Sequence, residues 1–259
     1  MRRLRTRAAI ACSLLASLSA LAVEPSKDLI GAFTATYQHA PPLVRTVKQP
    51  ILDEEHPNHV FEVLTQTARL APLRLVKLSK ARYALLVSET LLNVGHAWPG
   101  AFSIAYLDYS KRWRLEHVWP ELTFMGETGI PADETWQAYF WTKPLVFASS
   151  TYCGMGGCTA DIAAFALGDA APRLLGTVPG SAEYGPNEPA LGDCETYHYV
   201  ARIGPARLKN NVFSVRFSGW TAPPGRTEPK QWFSRTTDYA ISRNMLIARP
   251  EVSIPDCGK

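Results

Sequence analysis

The chain has 259 residues, 46% of them hydrophobic and 19% charged, with 27 lysines and arginines against 23 aspartates and glutamates. Arg2, Arg3, Arg5 and Arg7 are four of those basic residues, so everything after them is close to neutral apart from its histidines. A nucleic-acid partner, which needs a basic face to neutralise phosphates, loses its main support, and the hydrophobic content argues against disorder.

Residues 8–22 are an apolar run ending in Ala20-Leu21-Ala22. A positive start, a short apolar stretch and a small-x-small site together predict a secretory signal peptide over residues 1–22, cleaved before Val23. The run is shorter than the roughly 20 apolar residues a membrane-spanning helix needs, so no stable span is expected after cleavage. The expected location is periplasmic or secreted.

Residues 23–72 carry the helical signals. Leu29, Ile30, Phe33 and Tyr37 fall at helical spacing after Ser26, a candidate N-cap. Val60, Phe61, Leu64, Ala68 and Ala71 predict a second helix that stops at Pro72. The intervening Ala40-Pro41-Pro42 and the polar residues 53–58 read as surface loop.

From Leu73 to the C-terminus the period becomes alternating, with valine and aromatic residues enriched and turn residues every ten or so positions. Strands are predicted at 83–88, 102–108, 112–118, 135–141, 145–150, 159–167, 173–178, 196–203 and 212–220. The expected fold is mainly β: an antiparallel sandwich or propeller-like meander over residues 73–259, preceded by the small helical segment. Sliding the chain on itself by 59 residues overlays 84–126 on 143–185, with identities that include Leu86/Leu145, Ala105/Ala164, Arg114/Arg173, Pro120/Pro179 and Gly126/Gly185. That regularity predicts a duplicated strand–loop–strand–turn–strand unit, with loops 93–100 and 153–158 in equivalent places.

Beyond the leader four cysteines remain, Cys153, Cys158, Cys194 and Cys257. An even count in an exported chain reads as two disulfides, and the favoured pairing is Cys153 with Cys158 and Cys194 with Cys257. A redox role for the first pair is disfavoured, because exchange motifs space their cysteines by two residues at a helix N-terminus and a strand-like segment follows here. The strand, Cys-Gly-x-Gly-Gly-Cys, strand arrangement over residues 145–167 resembles a motif of exported bacterial proteins of unknown function. The resemblance implies export and a disulfide-closed β-hairpin region.

Signals for chemistry are few. Neither Rossmann nor P-loop glycine patterns occur, no cofactor is expected, and no Gly-x-Ser-x-Gly elbow or Ser-x-x-Lys is present. His56 and His59, among three carboxylates in residues 53–59, have metal-ligand chemistry but a poor spacing around Pro57; the reading is an acidic loop with no metal. Seven tryptophans are many for this size, and some must reach the surface. Trp98, with His96 in Gly95-His-Ala-Trp-Pro-Gly100, is the candidate binding residue, while Trp113 and Trp136 read as core filling. The expected function is a non-catalytic binding or interaction module of the bacterial envelope, with a protein or glycan partner. The rival is an envelope hydrolase acting on glycan or peptide through residues such as His96, Glu116 and His117.

Overall fold

The computed structural model describes residues 27–52, 60–95, 98–127, 129–132, 134–140, 143–154, 157–184, 196–203, 212–222, 231–243 and 245–249. Among the described residues one helix, α1 (Lys27–Tyr37), precedes thirteen strands: β1 (Leu43–Leu52), β2 (Val60–Lys77), β3 (Arg82–Leu91), β4 (Gly100–Tyr109), β5 (Trp113–Met125), β6 (Glu134–Phe140), β7 (Lys143–Gly154), β8 (Gly157–Ala166), β9 (Arg173–Tyr184), β10 (Thr196–Ile203), β11 (Val212–Ala222), β12 (Gln231–Ser242) and β13 (Met245–Arg249). Strands β1 to β5 form one antiparallel sheet in chain order, and β6 to β13 form a second, likewise in chain order. The result is a sandwich rather than a propeller.

Three apolar layers hold it together. The outer side of the first sheet packs on α1, through Ala32 and Phe33 against Val47, Leu70, Leu85, Val87 and Leu107. The sheets meet through Leu86, Phe102, Ile104 and Tyr106 on one side and Val146, Ala148, Ala163 and Phe165 on the other. The Phe102 and Phe165 rings stack across that layer, 5.3 Å apart. The second sheet then curls strongly into a half-barrel, filled by Phe147, Ile162, Val178, Phe213, Phe217 and Tyr239. The curl brings β13 back toward β9, where Leu246 lies beside Gly176, whose φ of 137° suits glycine.

Because β3, β4, β7 and β8 lie between layers, both of their faces are buried. Their sequences are therefore continuous apolar runs, such as Ala84-Leu85-Leu86-Val87 and Leu145-Val146-Phe147-Ala148, all at 1% exposure or less. Strand β11, with one face in the half-barrel, keeps strict alternation: Phe213, Val215 and Phe217 are buried, Ser214 and Arg216 exposed.

The first predicted helix forms as α1, but Ile30 is 37% exposed and lies off its packed face, which runs through Leu29, Ala32, Phe33 and Thr36. Gly31 permits the docking, since a Cβ there would stand 2.9 Å from the Trp113 ring. The second predicted helix is a correction: residues 60–77 are strand β2. Leu64 and Ala68 are four apart, a spacing common to helical and alternating periods, and buried Ala68 and Leu70 continue the alternation. Pro72, read as a helix stop, lies at a register shift against β3. Strands β1, β12 and β13 were not anticipated.

The 59-residue slide overlays β3–β4–β5 on β7–β8–β9. Ile104 and Tyr106 then coincide with Ala163 and Phe165, all in the layer between the sheets. Each third strand carries two register shifts, opposite Phe102/Ile104 and Tyr106/Leu107 in the first unit and opposite Ala160/Asp161 and Ala164/Phe165 in the second. The first strands fall out of phase: Leu86 faces the other sheet, while Leu145 faces the half-barrel interior. The connection before β4 is longer than the one before β8, so an ungapped slide cannot keep all three strands in step.

Candidate functional site

The disulfide Cys153–Cys158 closes the β7–β8 hairpin at a directly opposed pair, with Cα atoms 4.1 Å apart. Cys194 and Cys257 lie outside the described residues, as do His56, His59 and His96.

Two constellations stand out on this frame. The first crosses the outer face of the half-barrel. Since Phe213, Phe217 and Tyr239 point inward, the even positions of β11 and β12 point outward. His198, Trp220 and Trp232 are directly opposite one another across β10, β11 and β12. The His198 and Trp220 rings stack at 6.1 Å with 26° between their planes, and Trp232 is 71% exposed. Glu183 on β9 extends the row, its Oε2 3.8 Å from His198 Nδ1. The same face carries polar groups further along the strands. Arg216 Nε donates to Ser234 Oγ at 2.9 Å, and Ser214 Oγ donates to Asp238 Oδ1 at 2.6 Å. Aromatic faces next to hydroxyls, a guanidinium and a carboxylate suit a ligand with both apolar C–H surfaces and many hydroxyls.

The second constellation is internal. Glu89 on β3 is fully buried; Ser103 Oγ donates to one carboxylate oxygen and Arg45 donates to the other at 3.0 Å. The Ser103 hydroxyl oxygen also accepts from the Glu121 backbone N–H at 3.0 Å. The Arg45 guanidinium lies 5.6 Å from the centre of the Tyr37 ring at the end of α1, and Tyr37 Oη and Arg45 Nε are buried with no hydrogen-bond partner among the described residues. Burial, and then the neighbouring Glu89 carboxylate, raise the Glu121 carboxyl above its ordinary range, against a lowering by Arg45 and by the Lys48 backbone N–H. Burial and the Glu89 charge likewise raise the Tyr37 hydroxyl.

A folded-state carboxyl with a raised pKa holds its proton where the unfolded one has lost it. Its stabilising share is therefore present at acid pH and lost as pH rises through the raised value. Glu121→Gln removes that dependence, so its Tm minus that of the parent is expected to rise as pH increases above 4.5 and to level off once the raised value is passed. Parallel Tm scans of the two proteins check this, and a difference flat throughout, or falling, would contradict the assigned environment.

The loop singled out in the sequence is firmly tied. Trp98 is half-buried over Gly95; its backbone carbonyl accepts from Gly129 N–H at 2.7 Å, and Gly129 carbonyl accepts from Leu91 N–H at 2.8 Å. Gly129 has φ 79°, and a Cβ there would stand 2.4 Å from the Leu91 carbonyl oxygen. Glu116 spends its carboxylate on Arg82 Nε at 2.6 Å, and His117 rests against Trp119, ring centres 4.4 Å apart. Trp113 is half-buried between Tyr83 and Tyr109 at the margin of the α1 layer, and the Trp136 side chain lies outside the described residues. Sequence reasoning missed both constellations, although Glu89 interrupts the apolar run of β3, and an acidic residue in such a run points to a buried polar network.

No family model matches the chain, and neither a curated protein nor a solved structure matches it.

Proposed function

We propose that the chain is an exported, non-catalytic binding module of the bacterial envelope, and that the outer face of β10 to β12 takes a glycan. The observation that carries this is Trp232, 71% exposed and directly opposite Trp220 in a row that continues through His198 to Glu183. Exposing so large an apolar ring is a cost that a binding role explains. Sugar rings present C–H faces that lie against indoles, while Arg216, Ser214 and Asp238 sit on the same face to meet hydroxyls. Trp98 and His96 form a second candidate contact.

The rival hydrolase reading, made on His96, Glu116 and His117, could draw further on the nearness of Glu89 and Glu121. Against it, Glu89 is closed off from solvent and both its oxygens are already engaged. Retention on affinity gels cast with soluble envelope glycans tests the proposal. Trp232→Ala is expected to weaken retention about tenfold, equal to roughly 1.4 kcal/mol, while leaving Tm unchanged because the ring is largely exposed. Trp98→Ala, run beside it, reports on the second patch. Undiminished retention of Trp232→Ala would refute the assignment to the outer face.

A further inference from the structure

A cavity of about 250 Å³ opens at one end of the half-barrel, between the start of β7, residues 167–171, β9 and the end of β12. Its wall is apolar: Leu145, Leu175 and Ile241 come from three different strands, with Ala166 beside them. Leu145 and Leu175 belong to the layer that fills the half-barrel, so the cavity is that layer's empty continuation. Tyr239, two residues before Ile241 on the same face of β12, has a buried hydroxyl with no partner, its pKa pushed up to about 12 by that burial.

The mouth is charged. Arg173 lines it, is exposed, and makes no ion pair among the described residues. Asp169, the acidic group of the lining, has a side chain 99% exposed and reaches only Arg82, at 3.8 Å. Arg82 in turn is engaged by Glu116. Arg173 is thus the cation left to meet a ligand.

A dry apolar cavity of about 150 Å³ holds benzene, so at roughly 25 Å³ per carbon this one admits a chain of about eight to ten carbons. An occupant needs a hydrocarbon body for the wall and one negative head for the mouth. We infer that the cavity binds the alkyl chain of a medium-chain monocarboxylate, with its carboxylate held by Arg173. The site is separate from the glycan face, which lies on the other side of β11 and β12, so either can fail without the other.

Equilibrium dialysis of the full protein with radiolabelled octanoate tests it, with radiolabelled 1-octanol as the uncharged comparison. One octanoate per protein is expected. Arg173→Ala should weaken octanoate about fivefold and leave octanol unchanged, the loss expected of a single exposed ion pair. Ala166→Phe fills the cavity and should abolish binding of both; Ile241→Trp makes the same test if Ala166→Phe does not fold. Trp232→Ala should bind octanoate normally. No octanoate uptake, uptake that survives the filled cavity, or an equal loss of octanol in Arg173→Ala would each overturn the inference.

Discussion

Arg45→Ala is expected to destabilise the fold by about 3 kcal/mol, the low end for breaking a buried ion pair, because Arg45 itself keeps a third of its side chain in solvent. The cost comes from what is left behind. Glu89 has no exposure, and without Arg45 its second carboxylate oxygen faces the interior unpaired. The pair also spans from β1 to β3 beside the end of α1, so its loss loosens the seat of the helix as well as the strand. Arg45→Met combined with Glu89→Leu should recover most of the loss, since it removes both charges and costs only the acceptor of the buried Ser103 hydroxyl. Urea unfolding of the two proteins measures this. A double variant no better than Arg45→Ala would mean that packing of the guanidinium stem, rather than the charge, is what matters.

The layer between the sheets should be at least as sensitive. Phe165→Ala is expected to cost about 4 kcal/mol, the range for truncating a buried phenylalanine in a packed core. Phe165 is fully buried and stacked on Phe102, so truncation removes both transfer energy and an aromatic pair. Neighbours cannot close the gap easily, because Phe102 and Val146 belong to separate sheets whose spacing is set by the rest of the layer. Phe165→Leu should cost about 1.5 kcal/mol or less, keeping most of the volume. A fall in urea midpoint without a change in slope checks the prediction. A loss below 1 kcal/mol for Phe165→Ala would show that the sheets are not locked together there.

Most of the sandwich was legible in the sequence, strands β3 to β11 all being marked by their apolar and alternating runs. Strand β11 shows its alternation residue by residue, and the Cys153–Cys158 pair announces its hairpin through the glycines between the cysteines. Legibility failed where two periods coincide. The four-residue spacing of Leu64 and Ala68 satisfies a helix and a strand alike, and only pairing with β1 and β3 decides between them. The central strands β3, β4, β7 and β8 were legible as apolar runs, but with both faces buried they have no polar side to mark which face meets which layer.

Of the candidate site, the abundance of tryptophan was visible but not its placement. His198, Trp220 and Trp232 are far apart in the chain and become neighbours only through the registers of β10, β11 and β12. Trp98 looked exposed because glycine and proline surround it, yet a backbone hydrogen bond from Gly129 ties it down and it is half-buried. Glu89 and Glu121 are likewise joined by the sheet rather than by sequence spacing.

The most direct test of the outer-face proposal is to follow the seven indole N–H signals of ¹⁵N-tryptophan-labelled protein by NMR while adding chitohexaose and other soluble oligosaccharides. Saturable shifts confined to Trp220 and Trp232 are the predicted result. Indoles that stay unmoved across the series, or shifts confined to tryptophans elsewhere in the chain, would contradict it.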